Sequence, residues 1–184
     1  MRTWRIDTTH STIGFVVRHM LVSKVRGRFN RWRGELRFDE ATPLFGAVTA
    51  QIDADSVDTN DRQRDAHLRS ADFLDATRFP AISFRSTRVD TAGDKRFLLV
   101  GELTIRGVTR EVVLDVEYGG RMTDPDGIQR VGFTARTTIN RRAFGVTFNQ
   151  VLDSGGLALG DKLEIEVEIE AISDQDAGGP HTPS

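Results

Sequence analysis

Residues 162–170 read KLEIEVEIE, from Lys162 to Glu170. Leu163, Ile165, Val167 and Ile169 take every second place, and Lys162, Glu164, Glu166, Glu168 and Glu170 take the places between. A strand turns successive side chains to opposite faces, so this spacing predicts one apolar and one charged face. A helix would spread the same residues around its whole circumference. The pattern therefore predicts an antiparallel sheet with one face covered and the other in water.

The same period of two recurs back along the chain. Val131, Phe133, Ala135, Thr137 and Ile139 alternate with Arg130, Gly132, Thr134, Arg136 and Thr138. Val112, Leu114, Val116 and Tyr118 line one side of another strand, and Phe97, Leu99, Gly101, Leu103 and Ile105 line the strand before it. Gly107 turns the chain between these two, and Thr91 to Asp94 reads as a hairpin turn. Further upstream lie short runs at 4–7, 11–20, 22–29, 31–39 and 47–53, and another at 82–89. Gly119 to Gly127 reads as a polar loop, and 141–159 as irregular chain.

One stretch breaks the alternation: TNDRQRDAHLRSADFLDATRFPAISF, Thr59 to Phe84. Its first half predicts a helix over about 60–72, with Asn60 or Asp61 as N-cap and only Ala66, Leu68, Phe73 and Leu74 as apolar points. Pro80 suits a strand start, where its missing N–H is tolerated. A lone helix among strands is expected to plug one end of a barrel.

The fold class is accordingly all-β: a closed antiparallel barrel of about eight strands with one helix between strands. Closure removes the edges that long strands would otherwise expose. A two-sheet sandwich with a filled core is the alternative. Inward-facing Gly34 and Gly101 favour the barrel, because glycine there leaves internal space.

With 184 residues the chain has the length of one domain. The barrel is assigned to 1–173, and the Gly-, Pro- and Asp-rich 174–184 is expected to be a disordered tail. A net charge of −2 points to no polyanionic partner. Lys24, Arg26, Arg28, Arg31 and Arg33, interleaved with Phe29 and Trp32, are the one cluster that invites a nucleic-acid reading. Their spacing of two makes them the wet face of strands instead. With no cysteine there is no disulfide and no thiolate chemistry. No apolar run reaches spanning length or forms a leader, so the expected location is the cytoplasm.

Six segments resemble the YceI family. They are WRIDTTHSTIGFVVRHM (4–20), VRGRF (25–29), DRQRDAHLRSADFLDATRFPAISFRST (61–87), GELTIRGVTREVVLDVEYGG (101–120), GFTARTTINRRAFG (132–145) and LEIEVEIEA (163–171). The resemblance implies a lipocalin-like barrel with a long apolar pore, often a homodimer, that binds a polyisoprenoid, an isoprenoid quinone or a fatty amide-like lipid. Many members are periplasmic; this chain resembles a cytoplasmic branch.

The expected pore-lining set is Phe15, Val17, His19, Phe38, Ile52, Phe84, Leu99, Leu103, Ile105, Phe133, Ile139 and Phe144. Such a wall suits an apolar chain, since each buried methylene contributes roughly 0.8 kcal/mol, or about 4 kcal/mol gross per five-carbon unit. A few units exceed the ordering and association costs. His19, Arg62 and His67 are the candidates to meet a polar head group. An alternative function is an enzyme acting on an apolar molecule, with His19 or His67 as acid or base. His10 beside Ser11 invites a nucleophile–base reading, but neighbours on a strand point to opposite faces, and no G-x-S-x-G elbow exists. His10, His19 and His67 have no metal-ligand spacing, so no metal and no cofactor is expected.

Overall fold

The structure, a computed structural model, describes residues 1–20, 22–39, 41, 44–153 and 158–173. The tail expected at 174–184 lies outside the described residues. In chain order the strands are β1 (Arg2–Ile6), β2 (Thr12–His19), β3 (Ser23–Phe29), β4 (Trp32–Asp39), β5 (Leu44–Asp53) and β6 (Val57–Asp58). Helix α1 (Arg62–Arg69) follows, then β7 (Ala81–Thr91), β8 (Arg96–Ile105), β9 (Val108–Thr123), β10 (Gln129–Asn140) and β11 (Leu159–Ser173). Short 3-10 turns occupy Ala54–Ser56 and Arg141–Phe144.

Antiparallel pairing runs β1–β4–β5–β7–β8–β9–β10–β11, and β1 also pairs with β11, which closes an eight-stranded barrel. The strand β11 is long enough to serve two partners: Leu159 to Glu168 pair with β2, and Ala171 to Ser173 pair with β1. The branch β2–β3–β6 thereby extends the wall at one end. Between β8 and β9 the chain reverses through Arg106 and Gly107, both left-handed at φ 49° and 71°. Two such residues make the tight turn whose twist matches the flanking strands.

Three expectations change. The sequence 119–123 continues β9 rather than starting a loop, because Gly120 and Arg121 to Thr123 stay paired with β10; a register shift at Gly132/Phe133 absorbs the mismatch. The helix is shorter than 60–72. Asp61 caps its start by accepting from Arg64 N, and Ser70 ends it, turning to extended backbone with its own N–H and Oγ on His67 O. The inward glycines do not leave empty space. The place of a Cβ at Gly101 is filled by the Phe84 ring, and at Gly34 by the Ile6 side chain.

One end of the barrel is filled. Trp4, Phe38, Phe97 and Val131 are almost wholly buried there, with Tyr118 and Phe133 packed against Phe38 at 5.1 Å between ring centroids. The Trp4 indole donates to Phe38 O at 3.4 Å, so its buried N–H is paired. At the other end, Ile52, Ile82, Leu103, Ile105, Ile139 and Phe144 gather beneath Phe73 and Ala76 of the turns after α1. No described helix is long and apolar enough to cross a membrane.

Candidate functional site: an apolar cavity with an aromatic rim

Between the two ends lies a cavity of about 270 Å³. A single water needs only about 10–15 Å³ of such space, so the volume is ample, yet water also needs two to four polar partners. The wall is apolar apart from Thr137 and Arg141. Such a space holds water poorly and hydrocarbon well. The β10 wall alone, from Phe133 to Ile139, runs about 20 Å at roughly 3.4 Å per residue.

The structure places Phe15, Val17, Ile52, Phe84, Leu99, Leu103, Ile105, Phe133, Ile139 and Phe144 in this wall. They come from β2, β5, β7, β8, β10 and the turn after β10, and only the closed sheet brings them together. Phe38 is a correction: it has the inward phase of β4 but lies in the filled end, with no exposed surface and outside the cavity wall. His19 is another. It shares its phase with Phe15 and Val17 but is not part of the wall: His19 sits half-buried opposite Ser23 and opposite Leu159, which does line the cavity. Arg62 is exposed in the first turn of α1, outside the wall.

His67 stands at the rim. Its Nε2 meets Asp72 Oδ2 at 2.8 Å, and its ring packs edge-on against Phe73 at 4.9 Å and Phe148 at 5.0 Å. Phe73 and Phe148 touch each other at 5.2 Å, and Phe73 belongs to the cavity wall. These three rings join the helix side of the mouth to the segment after Gly145.

That segment is held by Arg141, which the sequence reading passed over. Its side chain is nearly buried; Nε donates to Gly160 O at 2.8 Å, and Nη1 to Val146 O at 2.8 Å and Phe148 O at 2.9 Å. Burial pushes its pKa down, against the pull of Asp161. A sequence signal existed: Arg141 stands two residues after Ile139, where the apolar phase of β10 would continue, with Phe144 beyond it.

Two arginines of α1 are tied to the chain that precedes the helix. Arg64 Nε and Nη2 bind Thr59 Oγ1 and O at 2.7 and 2.8 Å, and Arg69 Nε binds Asp55 O at 2.7 Å. Phe29 and Trp32 line the cavity, so the basic cluster beside them has no exposed ring on which a base could stack. Three of its arginines pair outside: Arg28 with Asp58, Arg31 with Asp53 and Asp55, Arg33 with Gln51.

Away from the cavity, Ser11 Oγ donates to Glu170 O and accepts from Glu170 N, while His10 Nδ1 meets Asp7 Oδ2 at 2.9 Å. The hydroxyl and the imidazole thus serve separate partners. Asp7, His10 and Glu170 come within 4.8 Å of one another, but the Arg130 guanidinium already binds both carboxylates and Asp124. A cation there would have to displace another cation.

The sequence model of the YceI-like domain matches residues 4–171. A UPF0312 protein of Staphylococcus aureus is 36% identical over 171 residues, covering 92% of this chain and 97% of its own. The crystal structure of the Campylobacter jejuni YCEI protein superposes with a TM-score of 0.73 at 30% identity, over 84% of this chain and 88% of that one. A polyisoprenoid binding domain from Saccharophagus degradans, implicated in plant cell wall breakdown, shares the fold with a TM-score of 0.70 at 12% identity, over 94% of this chain and 99% of that one. A closed apolar barrel and a sequence match spanning nearly every strand coincide here, and the chain belongs to the YceI-like domain family.

Proposed function

We infer that this protein is a non-enzymatic carrier or sequestering protein for an amphiphile with a long apolar tail: a polyisoprenoid, an isoprenoid quinone or a fatty amide-like lipid. The observation that carries this reading is the cavity itself, about 270 Å³ walled almost throughout by aliphatic and aromatic side chains. The tail lies among Phe15, Phe84, Leu99, Leu103, Phe133 and Ile139, with its polar end at the mouth near His67. The Saccharophagus degradans domain, with the same fold, is described as binding a polyisoprenoid, and that supports the class of ligand. Burial of roughly 0.8 kcal/mol per methylene supplies affinity without any catalytic group. No imidazole or carboxylate belongs to the described wall, which favours carriage over acid–base chemistry. Two copies acting as a homodimer form part of this reading.

Native mass spectrometry of freshly purified protein, with organic extraction of what it carries, tests the reading. A discrete added mass that extracts as a prenyl chain, quinone or fatty amide is the expected result. A clean apo mass together with no uptake of added polyprenol, quinone or fatty amide overturns it.

A further inference from the structure

Among the described residues Arg141 is the one charged residue of the cavity wall, and it is only 4% exposed. Two of its three nitrogens are used: Nε and Nη1 donate to the carbonyls of Gly160, Val146 and Phe148. The third, Nη2, is buried and makes no hydrogen bond. Its nearest carboxylate oxygen, Asp161 Oδ1, is 3.6 Å away and already accepts from Arg142 Nε at 2.7 Å. Arg110 brings another guanidinium to the same turn through Ala143 O at 3.2 Å. Three guanidiniums thus surround this turn with Asp161 as the carboxylate among them. A guanidinium offers five donors in a planar fork that suits two oxygens of one anion. Leaving donors of a buried charge unmet is costly, and a clamp on backbone carbonyls alone does not account for Nη2.

We propose that Arg141 Nη2 is the head-group anchor of the cavity, and that the preferred ligand is an amphiphile with an anionic head, carboxylate or phosphate, over a neutral one of the same tail. This rests on the carrier reading above. The turn Arg141–Phe144 continues directly from Ile139, and Ile139 and Phe144 both line the cavity, so an anion at Arg141 leaves its tail beside the wall. The same guanidinium holds the carbonyls of Val146 and Phe148, so head-group binding also bears on the segment that carries Phe148 at the rim.

Dissociation constants for geranylgeranyl diphosphate and geranylgeraniol, and for oleate and oleyl alcohol, give the test on the intact chain. The expected result is that each anion binds roughly tenfold or more tighter than its alcohol, the range of a charge-assisted hydrogen bond. Preference in the prenyl pair alone identifies a phosphate head, and preference in the oleyl pair alone a carboxylate. Arg141→Gln removes the preference and keeps alcohol binding, with folding followed by near-ultraviolet circular dichroism. Should that variant not fold, Asp161→Asn decides, since it withdraws the competing carboxylate from the surface and is expected to widen the preference. Equal affinity of anion and alcohol in the unaltered protein overturns the inference. So does an equal loss of both in folded Arg141→Gln, or an unchanged or narrower preference in Asp161→Asn. If neither the anions nor the alcohols bind, the carrier reading fails separately.

Discussion

The Phe84 ring lies over Gly101 on the neighbouring strand, where a Cβ on residue 101 would stand 2.5 Å from Phe84 Cζ and 2.7 Å from Arg85 O. The glycine and the aromatic form one packing unit: the missing side chain on β8 is supplied by β7. Gly27 and Phe15 repeat the device across β2 and β3. Since Arg85 O belongs to the backbone, it cannot step aside cheaply. Gly101→Ala is expected to destabilise by about 1–3 kcal/mol, the usual cost of overpacking, as measured by equilibrium unfolding in urea. It should also lower ligand capacity, because the displaced ring has only the cavity to move into. Unchanged stability and uptake would show that the contact is slack.

Ala135 lines the cavity at mid-height on β10, between Val116 and Val167. Filling the space from here avoids the filled end and the mouth. Ala135→Phe is expected to abolish uptake of an added polyprenol, read by native mass spectrometry, while the unfolding midpoint stays the same or rises. Full uptake by the folded variant would place the ligand elsewhere.

Phe148 packs on His67 and on the wall residue Phe73 at the rim of the cavity. Its ring stands at the rim without belonging to the wall, so a gating role predicts that its removal acts on rates more than on affinity. Phe148→Ala is expected to speed both uptake and release of a fluorescent fatty amide in stopped-flow mixing, with a much smaller change in the equilibrium constant. A change in affinity carried wholly by one rate would argue against a gate.

Arg130 ties β10 to Asp7, Asp124 and Glu170 on the outside of the wall. Burial raises the pKa of Asp7, but hydrogen bonds from His10 and Arg130 and from the Thr9 N–H outweigh it and hold the group at about 2 against an ordinary 3.8. A carboxylate whose folded pKa is depressed contributes stability above its unfolded value and loses it as pH falls toward the folded one. Asp7→Asn is therefore expected to lower stability at neutral pH and to flatten its decline between pH 3.8 and about 2, in thermal melts across that window. Parallel curves for the two proteins would rule the linkage out.

Asp65 is buried in α1 and accepts from Thr59 N at 2.9 Å and Thr59 Oγ1 at 2.6 Å. Asp65→Ala would leave a buried amide unmet and is expected to cost about 1–3 kcal/mol in chemical denaturation, with Asp65→Asn costing less. Equal losses in the two would point to packing rather than hydrogen bonding.

The strand pattern, the lone helix and most of the cavity wall are legible in the sequence, for one physical reason. A strand's side chains alternate, so the phase of Leu163, Ile165, Val167 and Ile169, or of Leu99, Leu103 and Ile105, states which face is inside whatever the partner strand is. Phase says nothing of height along the barrel. Phe38 and His19 have the correct phase yet neither joins the wall: Phe38 lies in the filled end, and His19 stands at the end of β2 beside the wall residue Leu159, which only the strand registers fix. The inward glycines have the same limit: whether Gly101 is a void or the seat of Phe84 depends on a ring from another strand. The mouth is wholly a product of tertiary structure. Arg141, His67, Phe73 and Phe148 come from a turn, a helix and irregular chain, where no period ties residue number to direction. Sequence determined what is apolar and what alternates; contacts between segments distant along the chain decided where the cavity stops, what closes it and which charge it holds.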